Sequence, residues 1–264
     1  MDLQLTEKTA LVTGSTAGIG FAIASLFAQE GAEVVLNGRF QKRVDEAIER
    51  IRREHKDACV KGVAADLGTG KGVDRLTEAV QQVDILVNNL GIFEPKPFTE
   101  ISDNDWLRFF EVNVLSGVRL SRFYLPAMLN RNWGRIVFIS SESAVNIPTE
   151  MIHYGVTKTA QLSVARGLAE MTAGTGVTVN SILAGPTRSE GVEVFLQEIA
   201  KVQGSDTASL EKEFFRSVRP SSLLKRFATS EEVASMVAYV CSPLASATNG
   251  AALRVDGGVV RSIV

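Results

Sequence analysis

The 264-residue chain carries 28 Lys plus Arg against 30 Asp plus Glu, a formal charge of −2, and 45% of its residues are apolar. This is ordinary globular composition, which excludes a disordered chain and argues against the basic face of a nucleic-acid binder. Two cysteines and two histidines match no metal or redox spacing, so no metal site is expected, and a reducing, cytoplasmic setting fits best. No apolar run approaches the roughly 20 residues of a membrane span, and the first strand pattern begins too early for a leader peptide to precede it.

Taken in chain order, short β-branched runs alternate with helical periodicity. Residues 10–13 (ALVT), 33–36 (EVVL), 59–64, 84–88 (DILVN), 135–140 (RIVFIS), 177–183 and 251–255 (AALRV) predict strands. They are unbroken rather than alternating, as a sheet buried on both faces requires. Between them, Val44, Ala47, Ile48 and Ile51 fall on one helical face, while Ser102 with Asp105 signals a capped helix carrying Trp106, Phe109, Phe110 and Val114. The alternation predicts right-handed βαβ crossovers and a doubly wound α/β sheet in a single domain spanning 1–264. Residues 188–227 interrupt the rhythm, with Val192, Phe195, Leu196 and Ile199 and then Leu210 and Phe214 at helical spacing. That insertion follows a strand's carboxyl end, so it is either a lid over a ligand site or an extra packing pair.

The first strand runs into TGSTAGIG, where Gly14, Gly18 and Gly20 are spaced G-x3-G-x-G across Ser15, Thr16 and Ile19. Residues without Cβ let a backbone turn sharply onto a pyrophosphate, and a helix start offers free N–H groups to that anion. The second strand ends in LNGRF, with Asn37 and Arg39 where NAD-binding chains place a carboxylate. An Arg with no acid beside it favours the 2′-phosphate of NADP(H), with NAD(H) second. Asp66 and Leu67 end the third strand, where an adenine contact is expected; Asn88, Asn89 and Gly91 end the fourth. Turn chemistry explains any one of these strand-end residues as well as ligand contact does.

Tyr154 and Lys158 stand at i, i+4 in HYGVTKT, a spacing common on plain helix surfaces. Ser140 and Ser141 end the fifth strand, and Asn113 is a polar amide amid Val112, Val114 and Leu115. TGSTAGIG, NNLG, Asn113, the 13-residue step from Ser141 to Tyr154, YGVTK and the late VDGG together resemble the short-chain dehydrogenase/reductase family. The likeness is to its core subfamily of about 250 residues and covers essentially the whole chain.

That resemblance implies a Rossmann-type sheet of seven strands and a homotetramer (or homodimer), the tetramer built partly on the helices after strands four and five. It implies a catalytic tetrad: Tyr154 as proton donor, Ser141 on the carbonyl oxygen, Lys158 on the nicotinamide ribose, and Asn113 holding a relay water. An ammonium beside Tyr154, with the positive nicotinamide of the oxidised cofactor, is expected to favour its phenolate. The turn after the sixth strand would hold the carboxamide through Gly185, Pro186, Thr187 and Ser189, although Ala-Gly-Pro stands where the family has Pro-Gly, and Leu90 replaces an alanine. By analogy with the fold, Phe93, Glu94, Asn146, Ile147 and Met151 are expected to line a substrate cavity; Glu142 and Ser143 add a polarity there that the sequence does not explain. The activity implied is hydride transfer between NADP(H) and a carbonyl or secondary alcohol, such as a 3-oxoacyl thioester or small ketone. A non-catalytic NADP sensor would be expected to lose tetrad members. A nucleotide-sugar epimerase or dehydratase would need another glycine spacing and a larger C-terminal region.

Overall fold

The structure, a computed structural model, describes residues 2–203 and 206–263; the side chains of Phe195, Glu198, Ile199, Val202 and Gln203 lie outside the described part. The β-branched runs form seven parallel strands: β1 (Thr9–Val12), β2 (Glu33–Gly38), β3 (Val60–Ala64), β4 (Ile85–Asn88), β5 (Gly134–Ser141), β6 (Val177–Ala184) and, last in the chain, β9 (Ala252–Val255). Their order is β3-β2-β1-β4-β5-β6-β9. Direction of travel reverses between β1 and β4, so a crevice opens there at the carboxyl edge, where sheets of this type bind ligands.

Helices cover both faces. Phe21, Ile23 and Phe27 of α1 (Gly18–Gln29) and Val233 and Val237 of α9 (Ser230–Cys241) pack with α2 (Gln41–Glu54) on Val12, Val34, Ile85 and Ile182. On the other face, Leu76 of α3 (Gly70–Ala79), Leu120 and Tyr124 of α5 (Ser116–Asn130) and Ala165 of α6 (Ile152–Met171) pack on Leu11, Val35, Leu86 and Phe138. Consecutive residues such as Leu11 and Val12 thus serve opposite cores, which is why the strands read as unbroken apolar runs.

The predicted Ser102 cap starts α4 (Asp103–Phe110): Ser102 Oγ accepts from the Asp105 N–H and the Asp105 carboxylate accepts from the Ser102 N–H. α4 does not run regularly into α5. Residues Glu111–Leu115 form a π turn, with the Ser116 N–H donating to the Glu111 carbonyl. Asn113 therefore sits on an inserted bulge rather than in a plain helix, and such bulges collect at functional sites.

The 188–227 insertion contains α7 (Glu190–Gln203) and α8 (Thr207–Ser217). Its two ends are stitched by a feature absent from the sequence reading, a second small parallel sheet of β7 (Thr187–Arg188) and β8 (Ala228–Thr229). Leu196, Phe215 and Phe227 make its own small core.

Candidate active site

The crevice is walled by the glycine turn on one side and the β4 end on the other. Gly14 takes φ +59°, and a Cβ at Gly20 would lie 2.5 Å from the Gly14 carbonyl oxygen. Both positions are closed to a side chain. Asn89 clamps the turn, its Nδ2 donating to the carbonyls of Thr13 (2.9 Å) and Gly14 (3.1 Å). Thr13 Oγ1 accepts from the N–H groups of Asn89 and Leu90 in return. α1 then starts after Ala17 with no side-chain cap, leaving its first N–H groups to an anion. Bare backbone, an uncapped helix start and a clamped turn fit a dinucleotide pyrophosphate.

Not every predicted contact faces this cleft. Ser15 is wholly buried, its Oγ donating to the Val12 carbonyl and accepting from the Asn37 N–H. Asn37 is buried too, its Nδ2 on the Val63 and Ala65 carbonyls and its Oδ1 on the Gly14 N–H. Both side chains spend their polar atoms on the backbone where β1, β2 and β3 end, so these side chains build the cradle. Leu67 belongs to the core and leaves only its backbone for an adenine. Thr16 packs at the β2 end, where a Cβ on Gly38 would meet its methyl group at 2.5 Å.

The other residues do reach the edge. Arg39 is exposed just beyond β2, its guanidinium 5.7 Å from the Phe40 ring, and no described carboxylate pairs with it. Asp66 is exposed, its Oδ1 accepting from the Gly68 N–H. Ile19, Asn89, Gly91, Gly185, Thr187 and Ser189 line one 210 Å³ cleft together with Ser141, Tyr154 and Lys158. Pro186 lines the adjoining cavity. Gly91 leaves the room that Lys158 needs, since a Cβ there would stand 3.3 Å from its Nζ.

Strand β5 and helix α6 bring the reacting groups together. Lys158 Nζ donates to the Ile139 carbonyl at 2.9 Å and to Gln161 Oε1 at 3.2 Å; Ser140 Oγ donates to the Lys158 carbonyl at 2.9 Å. These bonds lock the helix carrying Tyr154 to the strand ending in Ser141. Asn113 is buried: its Oδ1 accepts from the Ile92 N–H (2.8 Å), and its Nδ2 donates to the Ile92 carbonyl and Thr157 Oγ1 (both 3.0 Å). Its main-chain carbonyl accepts from Gln161 Nε2 at 2.6 Å. His153 has no polar partner among the described residues and packs against Phe109, with ring centroids 4.0 Å apart.

Burial dominates at Tyr154. It holds the Tyr154 phenol above its ordinary range, with Ser141 working against this and Glu142 adding to it. Burial lowers Lys158 to about 8. Nζ stands 5.6 Å from the Tyr154 ring centroid. Burial at Tyr154 therefore favours the protonated phenol over the phenolate.

Ser141 and Tyr154 sit where the cleft meets a second cavity of about 660 Å³, walled by Phe93, Met151, Val192, Leu196, Phe214 and Phe227. The insertion roofs it. Of the other expected lining residues, Glu94 turns outward to Arg108 (2.6 Å), Ile147 is exposed, and Asn146 lines a separate groove beside the C-terminal segment. Glu142 gains its explanation. Its Oε2 accepts from Ser141 Oγ (2.5 Å), the Ser143 N–H (2.8 Å) and Ser143 Oγ (3.1 Å), and its Oε1 accepts from Arg219 Nε (2.9 Å). Arg219, from the segment after α8, also reaches Glu150 at 3.3 Å. Sequence reading named neither Arg219 nor Gln161; the only clue was Gln161 falling three residues after Lys158 on the same helix face.

A parallel Rossmann-type sheet thus gathers Ser141, Tyr154 and Lys158 at its carboxyl edge, in the cleft beside the glycine turn. Comparison with known proteins makes this specific. A family profile described as enoyl-(acyl carrier protein) reductase matches residues 14–260. The uncharacterized oxidoreductase YvaG of Bacillus subtilis is 50% identical over the full length of both chains. The 3-oxoacyl-[acyl-carrier-protein] reductase FabG of Aquifex aeolicus is 32% identical over 98% of this chain and all of its own. L-sorbose reductase of Gluconobacter frateurii, solved with NADPH and L-sorbose, superposes with a TM-score of 0.94 at 33% identity over both whole chains. The chain belongs to the short-chain dehydrogenase/reductase family and is an oxidoreductase of that family.

Proposed function

We propose that the protein is an NADP(H)-dependent oxidoreductase that interconverts an uncharged ketone and its secondary alcohol. The observation that carries this reading is the placing of Ser141 and Tyr154 at the junction of the cleft with the apolar cavity. The dinucleotide, when bound, supplies or accepts the hydride. Gly14, Gly18 and the start of α1 would hold its pyrophosphate, Arg39 its 2′-phosphate, and Asp66 its adenine. Lys158 and Asn89 would face the nicotinamide half, with Gly185 to Ser189 closing the far side. NADPH bound to the sorbose reductase and the unpaired Arg39 both support NADP(H).

The protein's own groups account for the proton. Ser141 Oγ turns its hydrogen from Glu142 to the substrate oxygen, and Tyr154 gives up its phenolic proton to the same oxygen as the alcohol forms. Lys158, as ammonium, then stabilises the phenolate left behind. Asn113 acts indirectly, holding the Ile92 backbone and the π turn.

The cavity narrows the substrate. Its one described cation, Arg219, already faces Glu142 and Glu150, and these carboxylates offset its attraction for a carboxylate or phosphate there. Neutral ketones with an apolar arm fit best. The 188–227 segment is proposed as a lid, and exposed Phe123 on α5 with Val156 and Met171 on α6 support homotetramer assembly through those helices. The test is NADPH consumption across neutral and anionic ketones, with NADH in parallel. NADPH-linked turnover of the neutral set supports the reading; failure with every carbonyl class, or a clear NADH preference, contradicts it.

A further inference from the structure

We infer that Gln161 is a positioning residue: its carboxamide holds Lys158 as the ammonium and ties it to the main chain of Asn113. The inference rests on the proposed role of Lys158 in that reaction.

Gln161 is buried, at 1% exposure, three residues along α6 from Lys158. Its Oε1 accepts from Lys158 Nζ at 3.2 Å and its Nε2 donates to the Asn113 carbonyl at 2.6 Å. Chemistry sets the orientation of this amide. An ammonium only donates and a carbonyl only accepts, so the flipped amide would oppose donor to donor and acceptor to acceptor. One side chain therefore spans the gap between the lysine and the π turn at Glu111–Leu115.

The lysine needs such support. Lys158 is 4% exposed, and burial lowers it to about 8. Two of its three N–H groups go to the Ile139 carbonyl and to Gln161, leaving one for Tyr154 and the cleft. The ionisable group facing it is Tyr154 on its own helix; Glu142, just beyond β5, and its partner Arg219 act on Tyr154. The π turn and the β4 end meet it with Asn113 and Gly91, which carry no charge. Gln161 is thus the one side-chain acceptor bonded to this ammonium among the described residues, and removing it favours the neutral amine.

The experiment compares wild type with Gln161→Leu and Gln161→Glu. Leu removes the acceptor, while Glu keeps one in either protonation state. In NADPH-linked carbonyl reduction, the alkaline limb of kcat is expected to fall about one pH unit for Leu, roughly one charge-assisted hydrogen bond, and to stay or rise for Glu. A second readout needs no turnover. Lys158 sits below its unfolded pKa of about 10.4, so lowering it further costs stability that is fully lost at low pH and regained above the wild-type value. The melting temperature of Gln161→Leu is therefore expected to trail wild type more at about pH 6 than at about pH 9.5, with Gln161→Glu closing the gap. A deficit equal at both pH values, or Leu and Glu variants with the same limb, overturns the inference and leaves Gln161 a packing residue. Absence of turnover with every carbonyl contradicts the proposed reaction instead, and the melting comparison still decides on Gln161.

Discussion

Arg219 and Glu142 form a buried ion pair at 2.9 Å that joins the inserted 188–227 segment to the serine at the end of β5. The residues are 77 positions apart, and the carboxylate that meets the guanidinium with one oxygen meets Ser141 with the other. Removing either partner leaves a buried charge short of its main counter-ion, Glu150 remaining as a more exposed second partner of Arg219, and breaking such a pair costs up to about 3–5 kcal/mol. Glu142→Leu and Arg219→Leu are each expected to lose that much by urea denaturation, and the double variant to recover most of it. An additive double variant would show that the pair is not coupled.

Arg39 is expected to discriminate between the dinucleotides. Arg39→Ala removes a fork-shaped donor from the β2 end and should weaken NADPH about 10–100-fold, the scale of one or two charge-assisted bonds. NADH should change little. Titration of both nucleotides by intrinsic fluorescence checks this, and equal losses for both would contradict it.

Gly20 is predicted to refuse any side chain. The added methyl of Gly20→Ala would collide with the Gly14 carbonyl at 2.5 Å and with the Asn89 amide that clamps the turn. Overpacking of this kind costs about 1–3 kcal/mol. The melting temperature and dinucleotide affinity should fall together, whereas Gly167→Ala, with open space around its Cβ position, should leave affinity unchanged.

The pH dependence follows from Lys158. Its folded-state value near 8 lies below its unfolded one, so the native state binds fewer protons between the two, and stability rises with pH across that window. Reductive kcat should instead decline as pH passes about 8, because the ammonium that balances the phenolate is lost. Lys158→Met is expected to abolish turnover and to remove this segment of the stability curve, both readable from parallel kinetic and thermal series.

Much of this was legible along the chain because it is written in local signals. Seven apolar runs gave the seven-stranded sheet, and the glycine spacing with the Ser141, Tyr154 and Lys158 intervals marked the cleft. What escaped depends on distance or on single atoms. Arg219 reads as one more surface cation until folding carries it to Glu142. The π turn adds one residue to a helix and scarcely disturbs the apolar pattern from Trp106 to Val114. Strands β7 and β8 are two residues each, too short for any periodicity. The side-chain bonds of Ser15 and Asn37 escaped for a physical reason: strand ends leave backbone groups unpaired, and a short polar side chain satisfies them as readily as it meets a ligand.

The most direct test of the central claim is the rate of NADPH oxidation by Tyr154→Phe with a ketone that the wild type reduces, measured beside NADPH affinity. Loss of the phenolic proton donor is expected to lower kcat by at least about 100-fold while the dissociation constant for NADPH stays within about twofold of wild type. A Phe variant that still reduces the ketone at near wild-type rate would contradict the assignment of Tyr154 as the proton donor.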